Sequence, residues 1–108
     1  MLKKINRLSK FKRIENLKSV TTPFFVLKYK KEDARVAKFG FIVSKKIDKR
    51  ATVRNKIKRM FQKAVQENIE KILPFTFLII AKEKCVEETE ESLSKTLNFI
   101  FTKENLLK

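Results

Sequence analysis

The sequence has 108 residues, with 27 Lys or Arg against 12 Asp or Glu and a formal net charge of +15 at pH 7. This length accommodates one hydrophobic core, so residues 1–108 are interpreted as a single domain whose first eight or so residues form a basic arm. The charge excess predicts a polyanionic partner, with nucleic acid favoured and an anionic membrane surface as the main competitor.

Several classes of catalytic site are excluded by the residues that the chain lacks. There is no His and only one Cys, Cys85, so Ser-His-Asp catalysis, Cys-His catalysis, disulfides and His-based or Cys-rich zinc sites are ruled out. We interpret Cys85 as a small apolar filler. No apolar run reaches the roughly 18 residues of a membrane span, and no apolar segment follows the basic start, so we expect a cytoplasmic protein.

The N-terminal half predicts one helix and two strands. A short amphipathic helix is expected from Ser9 to about Val20, ended by the Thr-Thr-Pro sequence that follows. Aromatic and β-branched residues predict strands at 24–30 and 36–44, and the short charged link between them favours an antiparallel hairpin. Gly40, the only glycine, lies within the second of these strands, where a bulge or close packing is the favoured interpretation.

The C-terminal half predicts a basic loop at 45–52, a helix over about 51–71, a central strand at 75–81 and a final helix. That last helix should begin near Glu87 or Glu88 and end near Thr102, with acidic residues at its start, where the helix dipole favours anions. A metal site is a weaker interpretation of the same acids. The expected order is α-β-β-(β)-α-β-α, which is an α+β two-layer sandwich with a small mixed sheet.

The helix after the basic loop has two contrasting faces. Its apolar residues recur at helical spacing and predict a core stripe; they are Val53, Ile57, Met60, Phe61, Ala64 and Val65. The opposite face carries Arg54, Asn55, Lys58, Arg59 and Gln62. Asp48 is the only carboxylate between residues 45 and 65, so the usual alternation of acid and base on a solvated helix is missing. We therefore favour a polyanion-binding face over a merely solvated one.

Two motifs in this region resemble the protein subunit of bacterial ribonuclease P. One is the strand end Phe-Gly-Phe-Ile-Val-Ser-Lys-Lys at 39–46, and the other is the helix start Arg-Asn-Lys-Ile-Lys-Arg at 54–59. The likeness also covers the Arg-Leu pair at 7–8, the strands around 25–27 and 79–81, and the final helix, so it spans essentially the whole chain.

The resemblance implies a fold like the second domain of ribosomal protein S5, with a left-handed βαβ crossover. It also implies that an RNA subunit performs the Mg²⁺-dependent removal of the 5′ leader from precursor tRNA, while the protein binds that RNA and the leader. The Mg²⁺ would be held by the RNA and the holoenzyme, not by this chain alone, and no DNA or membrane partner is expected. The residues expected to contact the ribonuclease P RNA are Ser44, Lys45, Lys46, Arg50, Arg54, Asn55, Lys58 and Arg59.

The resemblance further implies a cleft between the first helix and the sheet that binds the single-stranded leader. The residues that fall in this region are Phe11, Ile14, Leu17, Lys18, Val26 and Lys28. Ile14 and Lys18 stand where the family often has Phe, and Lys28 stands near a usual Tyr. Tyr29 should point to the opposite sheet face. Gln62 takes a position where Arg is common.

Other functions remain open at this point. A different small basic RNA-binding protein, such as a ribosomal protein of similar fold, fits the charge and size equally well. A membrane-surface protein is disfavoured because the basic face lacks apolar anchors beside its cations. A helix-turn-helix DNA-binding protein is disfavoured because strands flank the basic helix.

Overall fold

The computed structural model describes residues 18–30 and 36–108. These ranges form four strands, two α-helices and two short 3-10 helices. The strands are β1 (Lys18–Thr21), β2 (Phe25–Lys30), β3 (Lys38–Ile42) and β4 (Thr76–Ala81), and the helices are α1 (Ala51–Gln66) and α2 (Glu90–Lys103). The 3-10 helices are Ile69–Lys71 and Glu83–Glu87. The elements follow one another in the order β1, β2, β3, α1, 3-10, β4, 3-10, α2.

The four strands form one mixed sheet in the order β1-β2-β4-β3. β4 lies in the centre, antiparallel to β2 and parallel to β3, as its nearly continuous apolar run predicts. The predicted hairpin between β2 and β3 is wrong, because β4 lies between those two strands. The hairpin of this fold joins β1 to β2, where the Thr22 hydroxyl donates to the Phe25 carbonyl at 2.8 Å.

One face of the sheet forms the core together with both helices. Aromatic side chains from three strands meet on it: Tyr29 of β2, Phe77 of β4 and Phe39 of β3 are all buried. The Phe39 and Phe77 rings stack with centroids 4.6 Å apart, and Phe101 of α2 meets both rings edge-on. The result is the expected α+β two-layer sandwich, in which β3, α1 and β4 form a βαβ unit. The left hand of that crossover stays a prediction.

Two predicted helix boundaries are wrong. Residues 18–20, expected at the end of the first helix, lie in strand β1, because Val20 pairs with Leu27 across the hairpin. The rest of that predicted helix lies outside the described residues. Helix α1 ends at Gln66 and not near residue 71, because the chain turns so that Ile72 can be buried and pair with Leu107.

Helix α2 begins later than predicted and has a capping box that the acidic pattern obscured. The Thr89 hydroxyl accepts from the Ser92 amide at 3.1 Å, and the Ser92 hydroxyl accepts from the Thr89 amide at 3.2 Å. Glu90 and Glu91 occupy the first turn, as the helix dipole favours. Cys85 is buried, as expected of a filler, although it lies in the 3-10 helix after β4. Within 18–30 and 36–108, no helix is long and apolar enough to cross a membrane.

The capping box predicts the cost of removing its first residue. Thr89→Ala should lower the free energy of unfolding by about 1 kcal/mol, because the Ser92 amide loses its acceptor at the helix start. Urea unfolding at 25 °C measures this as a lower midpoint with an unchanged slope.

The matched control is Thr102→Ala. The Thr102 hydroxyl donates to the Asn98 carbonyl on the exposed part of the same helix, so its loss should change the free energy by less than about 0.5 kcal/mol. Equal midpoints for the two variants would mean that the box does not stabilise α2.

Candidate nucleic-acid interface

The basic loop follows directly from strand β3. Ser44, Lys45 and Lys46 are exposed, and the amide of Ile47 closes a turn by donating to the Ser44 carbonyl at 3.0 Å. Ile47 packs against the core, so the turn is anchored at one end while the polar side chains project into solvent. The three residues expected at the strand end are therefore all accessible to a partner.

Arg50 is paired with the one carboxylate of the region. Its Nε and one terminal nitrogen donate to the two Asp48 carboxylate oxygens at 3.1 and 3.0 Å, and its backbone amide also donates to Asp48 at 2.9 Å. These hydrogen bonds, the guanidinium ones above all, lower the pKa of Asp48 to about 2. The same pairing raises the pKa of Arg50. The Arg50 side chain remains 73% exposed, so its outer face can still meet a phosphate.

Arg54 fastens the loop to the first turn of α1. One of its terminal nitrogens donates to the Asp48 carbonyl at 3.1 Å and to the Lys49 carbonyl at 2.8 Å. The side chain is half-buried, on the flank of the helix and not at the centre of its outer face. Part of the hydrogen-bonding capacity predicted for RNA is therefore used to hold the loop.

The outer face of α1 carries cations that have no ion-pair partner among the described residues. Asn55 and Arg59 are exposed, and Lys58 and Gln62 are half-buried beside them. No carboxylate in the described ranges forms an ion pair with Lys45, Lys46, Lys58 or Arg59. Helix α1 also starts without a side-chain cap and without an acid in its first turn. We call the outer side of α1, together with the basic loop before it, the basic surface. This surface is therefore open to an anion.

The sheet brings two further lysines to the basic surface. Because β3 and β4 are parallel, their carboxyl ends meet at one edge, where an open pocket of about 530 Å³ is found. Its lining includes Ser44 and Lys46 from the segment after β3 together with Lys82, Glu83 and Lys84 from the segment after β4. Sequence analysis missed Lys82 and Lys84, since only the strand pairing shows that they adjoin the basic loop.

The acids lie on the opposite flank of α1, where α2 packs. Glu67, Glu90 and Glu91 line one pocket there, and the Ser94 hydroxyl donates to Glu67 at 3.0 Å across the seam between the helices. In the described part of the chain, no group of three acidic or thiol side chains could hold a metal ion. This flank of α1 thus mixes acids with lysines, since Lys63 and Lys95 line the same pockets.

The second sheet face lies away from α1 and α2 and carries Val26 and Lys28. The strand register places Lys28 beside Leu78 and Val26 beside Ile80. Ile42 of β3 pairs with Ile80 from the other side. These side chains are half-buried, so the face presents an apolar strip edged by a cation.

Lys18 is not on this face, which corrects the grouping predicted for it. It pairs with Tyr29, whose side chain points into the core, so Lys18 projects toward the helix side of the edge strand. Ser19 and Thr21 occupy the second face in its place. The Tyr29 side chain is buried in the core, so it cannot supply an aromatic group to the second sheet face. Burial also raises the pKa of Tyr29. Phe11, Ile14 and Leu17 lie outside the described residues.

Comparison with known proteins agrees with this geometry. Residues 2–105 match the family model described as Ribonuclease P. The ribonuclease P protein component of Bacillus velezensis is 37% identical, over 99% of this chain and 96% of the relative. That of Fusobacterium nucleatum is 31% identical, over 95% of this chain and all of the relative.

A solved structure shows the same fold. A Staphylococcus aureus RNase P protein mutant with defective mRNA degradation activity superposes with a TM-score of 0.83 at 25% identity, covering 97% of this chain and 92% of the other. Sequence and fold therefore agree over nearly the whole length, and the chain belongs to the ribonuclease P protein component family.

Proposed function

We propose that this chain binds the ribonuclease P RNA and the 5′ leader of precursor tRNA, and thereby promotes the Mg²⁺-dependent endonucleolytic removal of that leader. The observation that carries the proposal is the basic surface, whose cations Lys45, Lys46, Lys58 and Arg59 have no carboxylate partner among the described residues. Such a concentration of like charge is stabilised when a polyanion covers it.

Each part of the basic surface offers a different kind of contact. Arg59 presents a planar fork suited to a phosphate, Lys58 a point charge, and Asn55 both a donor and an acceptor. The free amides at the start of α1 add a partial positive charge near the same place. Lys82 and Lys84 extend the surface to the sheet edge, where a strand of RNA passing from α1 would meet the pocket beside Lys46.

The second sheet face is the proposed site of the single-stranded leader. Its strip of Val26, Ile80 and Leu78 offers apolar area to bases, and Lys28 offers a charge to the backbone. None of the strand residues that the register places on this face is aromatic, so bases on the strip would rest on aliphatic groups and stack less strongly than on a ring. Mg²⁺ is proposed to be bound by the RNA and the holoenzyme, where it supplies the electrostatic stabilisation for hydrolysis.

The assignment predicts a result of reconstitution. The purified chain alone should cleave nothing, whereas mixed with a bacterial ribonuclease P RNA at low Mg²⁺ it should restore 5′ maturation of a precursor tRNA. The measurement is the rate of leader release with and without protein. If the chain stimulates none of several such RNAs, it is better interpreted as another small RNA-binding protein, such as a ribosomal protein, with no nuclease role.

A second prediction concerns the outer face of α1. Lys58→Ala and Arg59→Ala should each weaken binding to the ribonuclease P RNA and reduce the slope of log K against log salt by roughly 0.7 to 0.9, the value of one phosphate contact. Filter binding at four or five salt concentrations measures that slope.

Lys63→Ala is the matched control for these variants. Lys63 lies on the same helix but lines a pocket with Glu67 and Glu90, on the acidic flank. Its removal should leave the slope nearly unchanged. A uniform change in all three variants would mean that the RNA senses only net charge and not this face.

A third prediction concerns the Asp48–Arg50 pair. Asp48→Asn should tighten RNA binding and increase the salt slope by roughly 0.7 to 0.9, because Arg50 gains freedom to meet a phosphate. Glu70→Gln, which makes the same change of charge at an exposed carboxylate on the segment after α1, is the control. Equal slopes for the two variants would contradict a specific role for the pair.

The same variant has an expected pH dependence. The pKa of Asp48 in the folded protein is about 2, below its ordinary value, so its pairing stabilises the fold at neutral pH. That contribution is lost as the pH falls from about 4, where an unpaired Asp titrates, to about 2. The stability deficit of Asp48→Asn should therefore shrink across this window in urea unfolding. A deficit that stays constant down to pH 2 would contradict it.

A further inference from the structure

Helix α2 exposes one large aromatic side chain on the face turned away from the core. Phe99 is 66% exposed, whereas the other phenylalanines in the described ranges are buried or half-buried. Its ring makes no contact with another aromatic ring in those ranges, whereas all the other rings there except Phe24 form a connected cluster. A single exposed apolar residue is ordinary by itself, so the neighbours of Phe99 decide its meaning.

Those neighbours are two lysines, one helical turn to either side. Lys95 precedes Phe99 by four residues and Lys103 follows it by four, so all three project from one stripe of the helix. Both lysines are exposed, and they are separated by about 12 Å along the helix axis. Lys95 has an ion pair with Glu91 at 3.5 Å, but both side chains are more than three-quarters exposed, so the pair is weak and exchangeable.

A second copy of this chain is a poor partner for this stripe. In a twofold pairing of α2 helices centred on Phe99, Lys95 of one copy would face Lys103 of the other. Like charges placed opposite each other oppose association, and each chain already carries a net charge of +15. A partner that carries a flat apolar group between two negative charges complements the two lysines and the ring far better than a second copy does.

We infer that the Lys95–Phe99–Lys103 stripe is a second binding site for single-stranded RNA, separate from the basic surface and the second sheet face. A nucleobase stacks on the Phe99 ring, and the flanking phosphates meet the two lysines. The contact is independent of base identity, because every base has a face that can stack. It holds single-stranded RNA on the outer side of α2, beyond the two surfaces of the proposed function.

The chain has no tryptophan, which allows a direct test. In the full-length Phe99→Trp variant, a base that stacks at this position quenches the fluorescence of the introduced indole. Titration with an eight-nucleotide oligoadenylate should give saturable quenching, and an abasic oligomer of the same length should give much less. Val86→Trp places a tryptophan at the other large apolar residue that is exposed in the described ranges, beside Glu87, and should not be quenched.

Further variants separate stacking from general attraction. Phe99→Ala and Phe99→Leu are made in the chain that carries no tryptophan. Both should weaken the binding of a labelled oligoadenylate to the complex of the protein with ribonuclease P RNA. The complex is used because its RNA covers the basic surface. The expected loss is roughly 5- to 150-fold, the value of one stacked base. Lys95→Ala and Lys103→Ala should each reduce the salt slope of the quenching by about 0.7.

Three results would overturn the inference. They are equal quenching by the abasic and natural oligomers, equal quenching in Phe99→Trp and Val86→Trp, or full binding by Phe99→Leu, which keeps the apolar area and lacks the ring. The proposed function has its own test, which is the reconstitution of leader cleavage. The Phe99 site and the proposed function can therefore fail independently.

Discussion

The packing of helix α1 on the sheet determines where the side chains of its basic face point. Phe61 is fully buried and meets the Phe25 ring edge-on, with centroids 5.6 Å apart, while Ile57 and Val65 extend the same stripe. Burying a side chain of this size contributes about 1.5–3 kcal/mol, whereas an exposed ion pair contributes about 1 kcal/mol or less. Apolar burial therefore sets the rotation of the helix. The outward direction of Asn55 and Arg59 is its geometric consequence.

Within the basic surface, the residues divide between shaping the loop and facing solvent. Arg54 hydrogen-bonds two loop carbonyls, and Asp48 holds both the side chain and the amide of Arg50. Lys45 and Lys46 lie in a separate turn, which the Ile47 amide closes on the Ser44 carbonyl, and a turn formed before binding reduces the entropy lost on binding. A motif rich in Arg and Lys is thus partly a scaffold, and counting its charges overestimates the number available to phosphates.

The sequence was sufficient for features that depend on a local period and insufficient for those that depend on strand partners. The amphipathic stripe of α1 and the apolar run of β4 identified a packed helix and a central strand correctly, since burial imposes those patterns directly. Strand β1 was missed because its four residues are mostly polar and exposed on an edge, so burial leaves little pattern there. The resemblance grouped Lys18 with Lys28 in one cleft, but the antiparallel register sends them to opposite faces.

The choice of strand partner also decided which cations meet. A hairpin between β2 and β3 would have left the position of β4, and hence of Lys82 and Lys84, undetermined. The parallel pairing of β3 with β4 aligns their carboxyl ends and brings Lys82 and Lys84 to the pocket of Lys46. Parallel neighbours need a crossover, and here the crossover is α1 itself. Helix α1 therefore carries the basic face and also sets the parallel pairing of β3 with β4. Because of this topology, Lys82 and Lys84 adjoin the cations of the basic loop.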